Sequence, residues 1–103
     1  MSANYTQLLD RVRRVFLHVE FTTDRRTVLD YAIVLLIEVD GSLETVRIYD
    51  GAHGHNELHR YGRQAGKAPA EIFHRGTLGE GMRAAIGETK RGYEAMIESW
   101  SKQ

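Results

Sequence analysis

The chain has no cysteine and only one proline among its 103 residues. The absence of cysteine excludes disulfide bonds and thiolate zinc sites, which is typical of an intracellular protein. No stretch approaches the roughly 20 apolar residues of a membrane span, and the N-terminus lacks the apolar segment of a signal peptide. From these absences we expect a cytoplasmic protein with no membrane partner.

Neither sign of charge dominates the composition, because 14 Lys and Arg residues balance 14 Asp and Glu residues. Disordered sequences combine low hydrophobicity with high net charge, whereas 42% of this chain is hydrophobic. The sequence contains no glycine-rich phosphate loop of the Walker type and no G-x-S-x-G nucleophile motif. A chain of this length has room for one modest hydrophobic core, so we expect a single domain over residues 1–103.

The strongest strand pattern is the apolar segment DYAIVLLIEV at residues 30–39. It leads into Asp40-Gly41, a dipeptide that favours two-residue β-hairpin turns. In the predicted hairpin Ile33 lies opposite Ile48. The face toward the core is expected to carry Ile33, Leu35, Ile37, Val46 and Ile48. The other face is expected to carry Val34, Leu36, Thr45, Arg47 and Tyr49.

Further elements are predicted before and after this hairpin. Near the N-terminus, apolar residues at helical spacing predict a short helix over residues 2–12. Alternation over residues 14–21 predicts a strand, and weaker patterns predict two more strands at residues 56–62 and 70–74.

The C-terminal quarter of the chain has the pattern of a long amphipathic helix over residues 77–101, with Trp100 on its buried side. Thr77 and Glu80 match the capping box that begins many helices. Glycines in the first half of this helix are expected to let it approach the sheet closely. The predicted fold is α+β: an antiparallel sheet of three to five strands, a long C-terminal helix packed on one face and a short N-terminal helix.

Histidine is concentrated in one part of the sequence, since four of the five histidines lie between His53 and His74. The densest stretch is YDGAHGHNELHRYG at residues 49–62, directly after the hairpin. Loops on a rigid scaffold often carry function, and histidine exchanges a proton near pH 7. This stretch is therefore the candidate functional site.

One hypothesis for the site is metal-independent cleavage of RNA by acid–base chemistry. His53 and His59 are the candidate catalytic pair: one removes the proton of the 2′-hydroxyl, and the other protonates the 5′-oxygen that leaves. This reaction needs no cofactor. Further residues are candidates for binding the substrate, and they are His55, Arg60, Tyr61, Lys67 and Arg47.

Two other interpretations of the same residues stay open. In the first, the stretch binds a metal ion through the nitrogen atoms of His53, His55 and His59 and a carboxylate oxygen of Asp50. In the second, the histidines are solvated loop residues, and His59 makes only a structural hydrogen bond.

The segment VRIYDGAHGHNELHRYG resembles the TumE family of small bacterial toxins, and also related small domains of unknown function. The resemblance covers about residues 43–100. The matching residues are Tyr49, Asp50, His53, Gly54, His59, Arg60, Tyr61 and Gly62. It implies a toxin of a toxin–antitoxin module, with ribonuclease action and an antitoxin as partner.

A function of a different class, a non-catalytic interaction domain, is also compatible with the sequence. The sheet face away from the core is expected to be partly apolar, and a short N-terminal helix covers little of it. Such a surface favours association. We expect a homodimer or a small protein partner that docks through Phe16, Val34, Leu36 and Tyr49. Single-stranded nucleic acid is the alternative partner, with Arg14 and Arg47 contacting phosphates.

Overall fold

The computed structural model describes residues 1–103 and consists of one antiparallel sheet with one helix. The strands are β1 (Ser2–Asp10), β2 (Val15–Asp24), β3 (Thr27–Val39), β4 (Ser42–Asp50), β5 (Asn56–Gly62), β6 (Gly66–Lys67) and β7 (Glu71–His74). The helix is α1 (Leu78–Lys102). The strands follow the order β1-β2-β3-β4-β5-β6, and β7 also pairs with β5. The helix is not long and apolar enough to cross a membrane.

The prediction of three to five strands and an N-terminal helix is wrong, because the sheet has seven strands and the chain begins with β1. An isolated helix of about eleven residues is marginal in water. Here the same residues form a full hydrogen-bonded ladder with β2, which runs from Ser2 opposite Thr22 to Leu8 opposite Phe16. The ladder then becomes irregular between Leu8 and Asp10. Val12, which the helical pattern placed on the apolar stripe, lies in the turn and is 90% exposed.

The central hairpin forms where it was predicted, but its faces differ from the prediction. Asp40 and Gly41 both have positive φ, 49° and 82°, as a two-residue turn of this kind requires. A bulge then shifts the β3–β4 register between Leu35 and Leu36, so that Ile33 lies opposite Tyr49 rather than Ile48. Tyr49 is therefore fully buried under the helix.

The same bulge moves two further residues of β4 to the face opposite the predicted one. Ile48 lies opposite Val34 on the face away from the helix, so its predicted place in the core is wrong. Arg47 lies opposite Leu35 and donates a 3.3 Å hydrogen bond to the Tyr49 hydroxyl, so it lies on the helix face. A bulge puts two residues of one strand opposite one residue of its partner, which offsets the alternation beyond it.

The helix begins as predicted and packs across β3, β4 and β5. Thr77 is the N-cap, and Glu80 completes the capping box. The residues of α1 that face the sheet are small in the first half of the helix and large near its end. Its buried residues are Gly81, Ala85, Thr89, Ile97 and Trp100. Close approach of the helix to the sheet at Gly81 and burial of Trp100 are both confirmed.

The sheet face away from α1 has no helix over it, and we call it the open face. Phe16, Val34, Leu36 and Ile48 form a half-buried apolar band there. His59 lies opposite Ile48 at the end of the same face. The open face is thus apolar across its centre and polar toward β5.

Candidate functional site

Two histidine–carboxylate pairs lie side by side where β4 and β5 meet on the open face. The antiparallel register puts Asp50 directly opposite Glu57. The His59 Nε2 atom is 3.0 Å from Asp50 Oδ2, and the His53 Nδ1 atom is 2.7 Å from Glu57 Oε1. One ligand atom each of Asp50, Glu57 and His59 lies within 4.8 Å of the others. We call these four residues, His53, Glu57, Asp50 and His59, the histidine–carboxylate network.

Asp50 and Glu57 are like charges directly opposite each other on neighbouring strands, an arrangement in which carboxylates repel. Each carboxylate instead faces an imidazole. A hydrogen bond to Glu57 and its negative charge raise the pKa of His53 above the usual 6.5. The same hydrogen bond lowers the pKa of Glu57 below 4.5. His53 is 75% exposed, so its ring is accessible to a substrate.

His59, by contrast, is the buried member of the network, with only 10% of its side chain exposed. Its Nδ1 atom is buried and has no hydrogen-bond partner. A proton on Nδ1 would be an unsatisfied buried donor, so the tautomer that fits carries its proton on Nε2, the nitrogen that lies 3.0 Å from Asp50 Oδ2. The ring is thus largely buried, with Nδ1 toward the interior and Nε2 toward Asp50.

The same geometry bears on the metal interpretation. Asp50, Glu57 and His59 offer oxygen and nitrogen atoms at distances that a divalent cation could bridge. A metal on Nε2 would move the ring proton to Nδ1, and metal-bound histidines almost always donate that second N–H to an acceptor. No acceptor lies there. The donor set therefore fits a pair of histidine–carboxylate contacts better than a metal centre.

A cleft of about 200 Å³ opens next to the network, at the sheet edge formed by β5 and β7. Glu57 is opposite Ile72, which lines the cleft, so the two sites are adjacent. The cleft carries positive charge and imidazoles but no serine, threonine, cysteine or lysine. The lining residues are Gly54, His55, Asn56, Ile72, His74, Arg75 and Gly76.

Asn56 is the most deeply buried polar residue that lines this cleft, with 2% of its surface exposed. Both the oxygen and the nitrogen of its side-chain amide are hydrogen-bonded. Its Nδ2 group donates to the carbonyl oxygens of His74, Gly76 and Thr77 at 3.3, 3.2 and 3.1 Å. Its Oδ1 atom accepts a 2.7 Å hydrogen bond from the Tyr31 hydroxyl. Asn56 thereby ties the segment that ends β7 and begins α1 to the central sheet.

The structure does not bring the predicted phosphate-binding residues to the network. Alternation along β5 puts Arg60 on the side opposite His59, where two hydrogen bonds of 3.2 Å join it to Glu71. Arg47 lies on the helix face beside Tyr49. Tyr61 and Lys67 pair with each other at the β5–β6 edge. Of the predicted binding residues, only His55 lines the cleft.

Sequence reasoning missed the cleft residues His74 and Arg75 and the role of Glu57. The spacing of four residues between His53 and Glu57 is a weak signal, because the pair spans a loop and the start of a strand. His74 and Arg75 are distant from His53 in sequence, and only the pairing of β7 with β5 brings them near.

These observations define a class of protein: an α+β domain whose single sheet carries one helix on one face and a histidine–carboxylate network on the other. A family model described as Domain of unknown function (DUF7718) matches residues 1–103. The chain belongs to this family. No curated protein and no solved structure matches it. The expectation of a small domain of unknown function is confirmed, whereas the TumE-like toxin finds no support.

Proposed function

We propose that this protein is a metal-independent endoribonuclease that uses the histidine–carboxylate network and the adjacent cleft. The observation that carries the proposal is the His53–Glu57 pair: an exposed imidazole that a carboxylate holds at 2.7 Å, next to a cleft that contains Arg75. A general base needs an accessible nitrogen and a partner that orients its ring. His53 satisfies both conditions.

RNA fits these residues because it supplies its own nucleophile. The cleft offers no serine, threonine, cysteine or lysine to attack a substrate. In the proposed reaction His53 Nε2 removes the proton of the 2′-hydroxyl, and the 2′-oxygen attacks phosphorus. The bond from phosphorus to the 5′-oxygen breaks, and a cleft imidazole, that of His55 or His74, protonates the leaving oxygen. Arg75 binds the phosphate oxygens throughout.

The other members of the network act through His53 in this proposal. Glu57 accepts the hydrogen bond from His53 Nδ1, which leaves Nε2 as the free nitrogen. His59 holds Asp50 beside Glu57 and touches no substrate. His59 was the predicted second catalytic residue, and the proposal makes it a positioning residue instead, because its ring is buried.

The test is cleavage of RNA by the purified protein in buffer that contains EDTA. We expect products that end in a 2′,3′-cyclic phosphate, and no cleavage of a strand with 2′-deoxyribose at the target position. Replacing His53 with Ala should lower kcat by about 10²–10⁴-fold, the usual contribution of a general base. Replacing Arg75 with Ala should mainly raise KM. His18→Ala is the matched control, since His18 also pairs with a carboxylate, Glu20, at 3.0 Å on the open face.

Three results would contradict the proposal. The first is no cleavage of any RNA by the folded protein. The second is equal activity of the wild type and the His53→Ala variant. The third is cleavage that EDTA abolishes and Mn²⁺ or Zn²⁺ restores, which would favour the metal interpretation of Asp50, Glu57 and His59.

A further inference from the structure

β1 forms one edge of the sheet, and its outer side pairs with no other strand. Met1 and Thr23 exchange two backbone hydrogen bonds of 2.7 and 2.8 Å. Hydrogen-bonded pairs alternate with non-bonded pairs in an antiparallel ladder, so Ala3, Tyr5 and Gln7 also bond to β2. The residues between them direct both N–H and C=O groups away from β2. These outward residues are Ser2, Asn4, Thr6 and Leu8.

This edge lacks the features that usually prevent pairing with another strand. Exposed edges are commonly protected by charged residues, proline, bulges or short length. β1 has nine residues, and none from Ser2 to Leu9 is charged or proline. Its only irregularity lies at the end, between Leu8 and Asp10. The strands at the opposite edge, β6 and β7, have only two and four residues.

We propose that β1 pairs antiparallel with β1 of a second copy of this chain, across a two-fold axis at Tyr5. In this register Ser2 is opposite Leu8 of the second copy and Asn4 is opposite Thr6. Every outward N–H and C=O group from Ser2 to Leu8 then has a partner. A shift of the register by two residues in either direction leaves outward groups unpaired, which is why the self-pairing is centred on Tyr5.

The side chains at the centre also suit a second copy. Tyr5 is 42% exposed and lies on the helix side of the edge, opposite Val19. On the axis it meets Tyr5 of the second copy as a non-bonded pair, with Cβ atoms about 4.5–5.5 Å apart. The two sheets join into one continuous sheet. The histidine–carboxylate network on β4 and β5 stays accessible, so this inference does not depend on the proposed nuclease activity.

The experiment measures mass by analytical ultracentrifugation from about 10 to about 300 µM, a range that spans the dissociation constants of weak dimers. Amide hydrogen exchange is measured on the same samples. We expect a species of twice the 11.7 kDa chain mass, with slowed exchange at the amides of Asn4, Thr6 and Leu8. Tyr5→Lys puts two ammonium groups on the axis and should shift the protein to monomer. Asn4→Pro removes an outward N–H without touching the β2 ladder, and should do the same.

Leu43→Lys is the control, since Leu43 is 56% exposed and lies on β4, away from this edge. It should leave the dimer unchanged. Circular dichroism establishes that each variant is folded. Two results would overturn the inference: a monomer at every concentration, or a dimer that persists in both Tyr5→Lys and Asn4→Pro.

Discussion

Because α1 approaches the sheet closely at one glycine and not at another, replacing glycine with alanine should change the free energy of unfolding in opposite directions at Gly81 and Gly92. Alanine is a better helix former than glycine by about 1 kcal/mol. At Gly92 an added Cβ would meet only the Met96 Cε atom, at an ordinary 3.6 Å. Gly92→Ala should therefore stabilise the protein by roughly 0.5–1 kcal/mol.

At Gly81 the same substitution should destabilise the protein. An added Cβ would overlap the side-chain amide of Asn56. That amide cannot turn aside without losing its hydrogen bonds to Tyr31 and to three backbone carbonyls. The two amide protons are shared among three carbonyls, so about three full bonds are lost. At about 0.5–1.5 kcal/mol for each bond, the loss is roughly 1.5–4.5 kcal/mol. Subtracting the helix-propensity gain of about 1 kcal/mol leaves a net destabilisation of roughly 0.5–3.5 kcal/mol.

Urea unfolding of the wild type and the two variants, followed by circular dichroism, measures both effects. We expect the unfolding midpoint to rise for Gly92→Ala and to fall for Gly81→Ala. For a domain of about this size, each kcal/mol of lost stability lowers Tm by roughly 4–8 °C. If Gly81→Ala were as stable as the wild type, the helix would not contact Asn56 as described. Adding Asn56→Ala to Gly81→Ala should recover little stability, because the same hydrogen bonds are missing in both proteins.

Three further predictions concern the site and the start of the helix. Glu57→Gln should return the pKa of His53 toward 6.5, which NMR titration of the ring would detect; an unchanged pKa would contradict the pairing. Because the pKa of His53 is raised and that of Glu57 lowered, the pair stabilises the fold fully only above about pH 4.5 and below about pH 6.5. The stability difference between wild type and Glu57→Gln should therefore be largest in that window and shrink on both sides, and a difference that does not vary with pH would refute the reasoning. Thr77→Ala should cost about 0.5–2 kcal/mol by removing the hydrogen bond to the Glu80 N–H, whereas Ser99→Ala on the exposed side of the helix should have little effect; equal unfolding midpoints for these two variants would argue against the cap.

Local interactions are what the sequence by itself determined about this fold. Asp40-Gly41 specifies a hairpin turn because both residues tolerate positive φ. Thr77 and Glu80 specify the start of α1 because their hydrogen bonds span only three residues. The position of the histidine cluster after the hairpin is likewise evident from the order of residues along the chain.

Long-range pairing is what only the tertiary structure decided. Residues 2–12 have a helical pattern, yet Ser2–Asp10 form β1, because the ladder with β2 satisfies their backbone groups. The bulge in β4 exchanges the faces of Ile48 and Tyr49, and no local pattern marks it. At the site, alternation along β5 separates His59 from Arg60, and the β5–β7 pairing brings His74 toward Glu57. Side chains from different strands meet according to register, and register depends on contacts across the whole sheet.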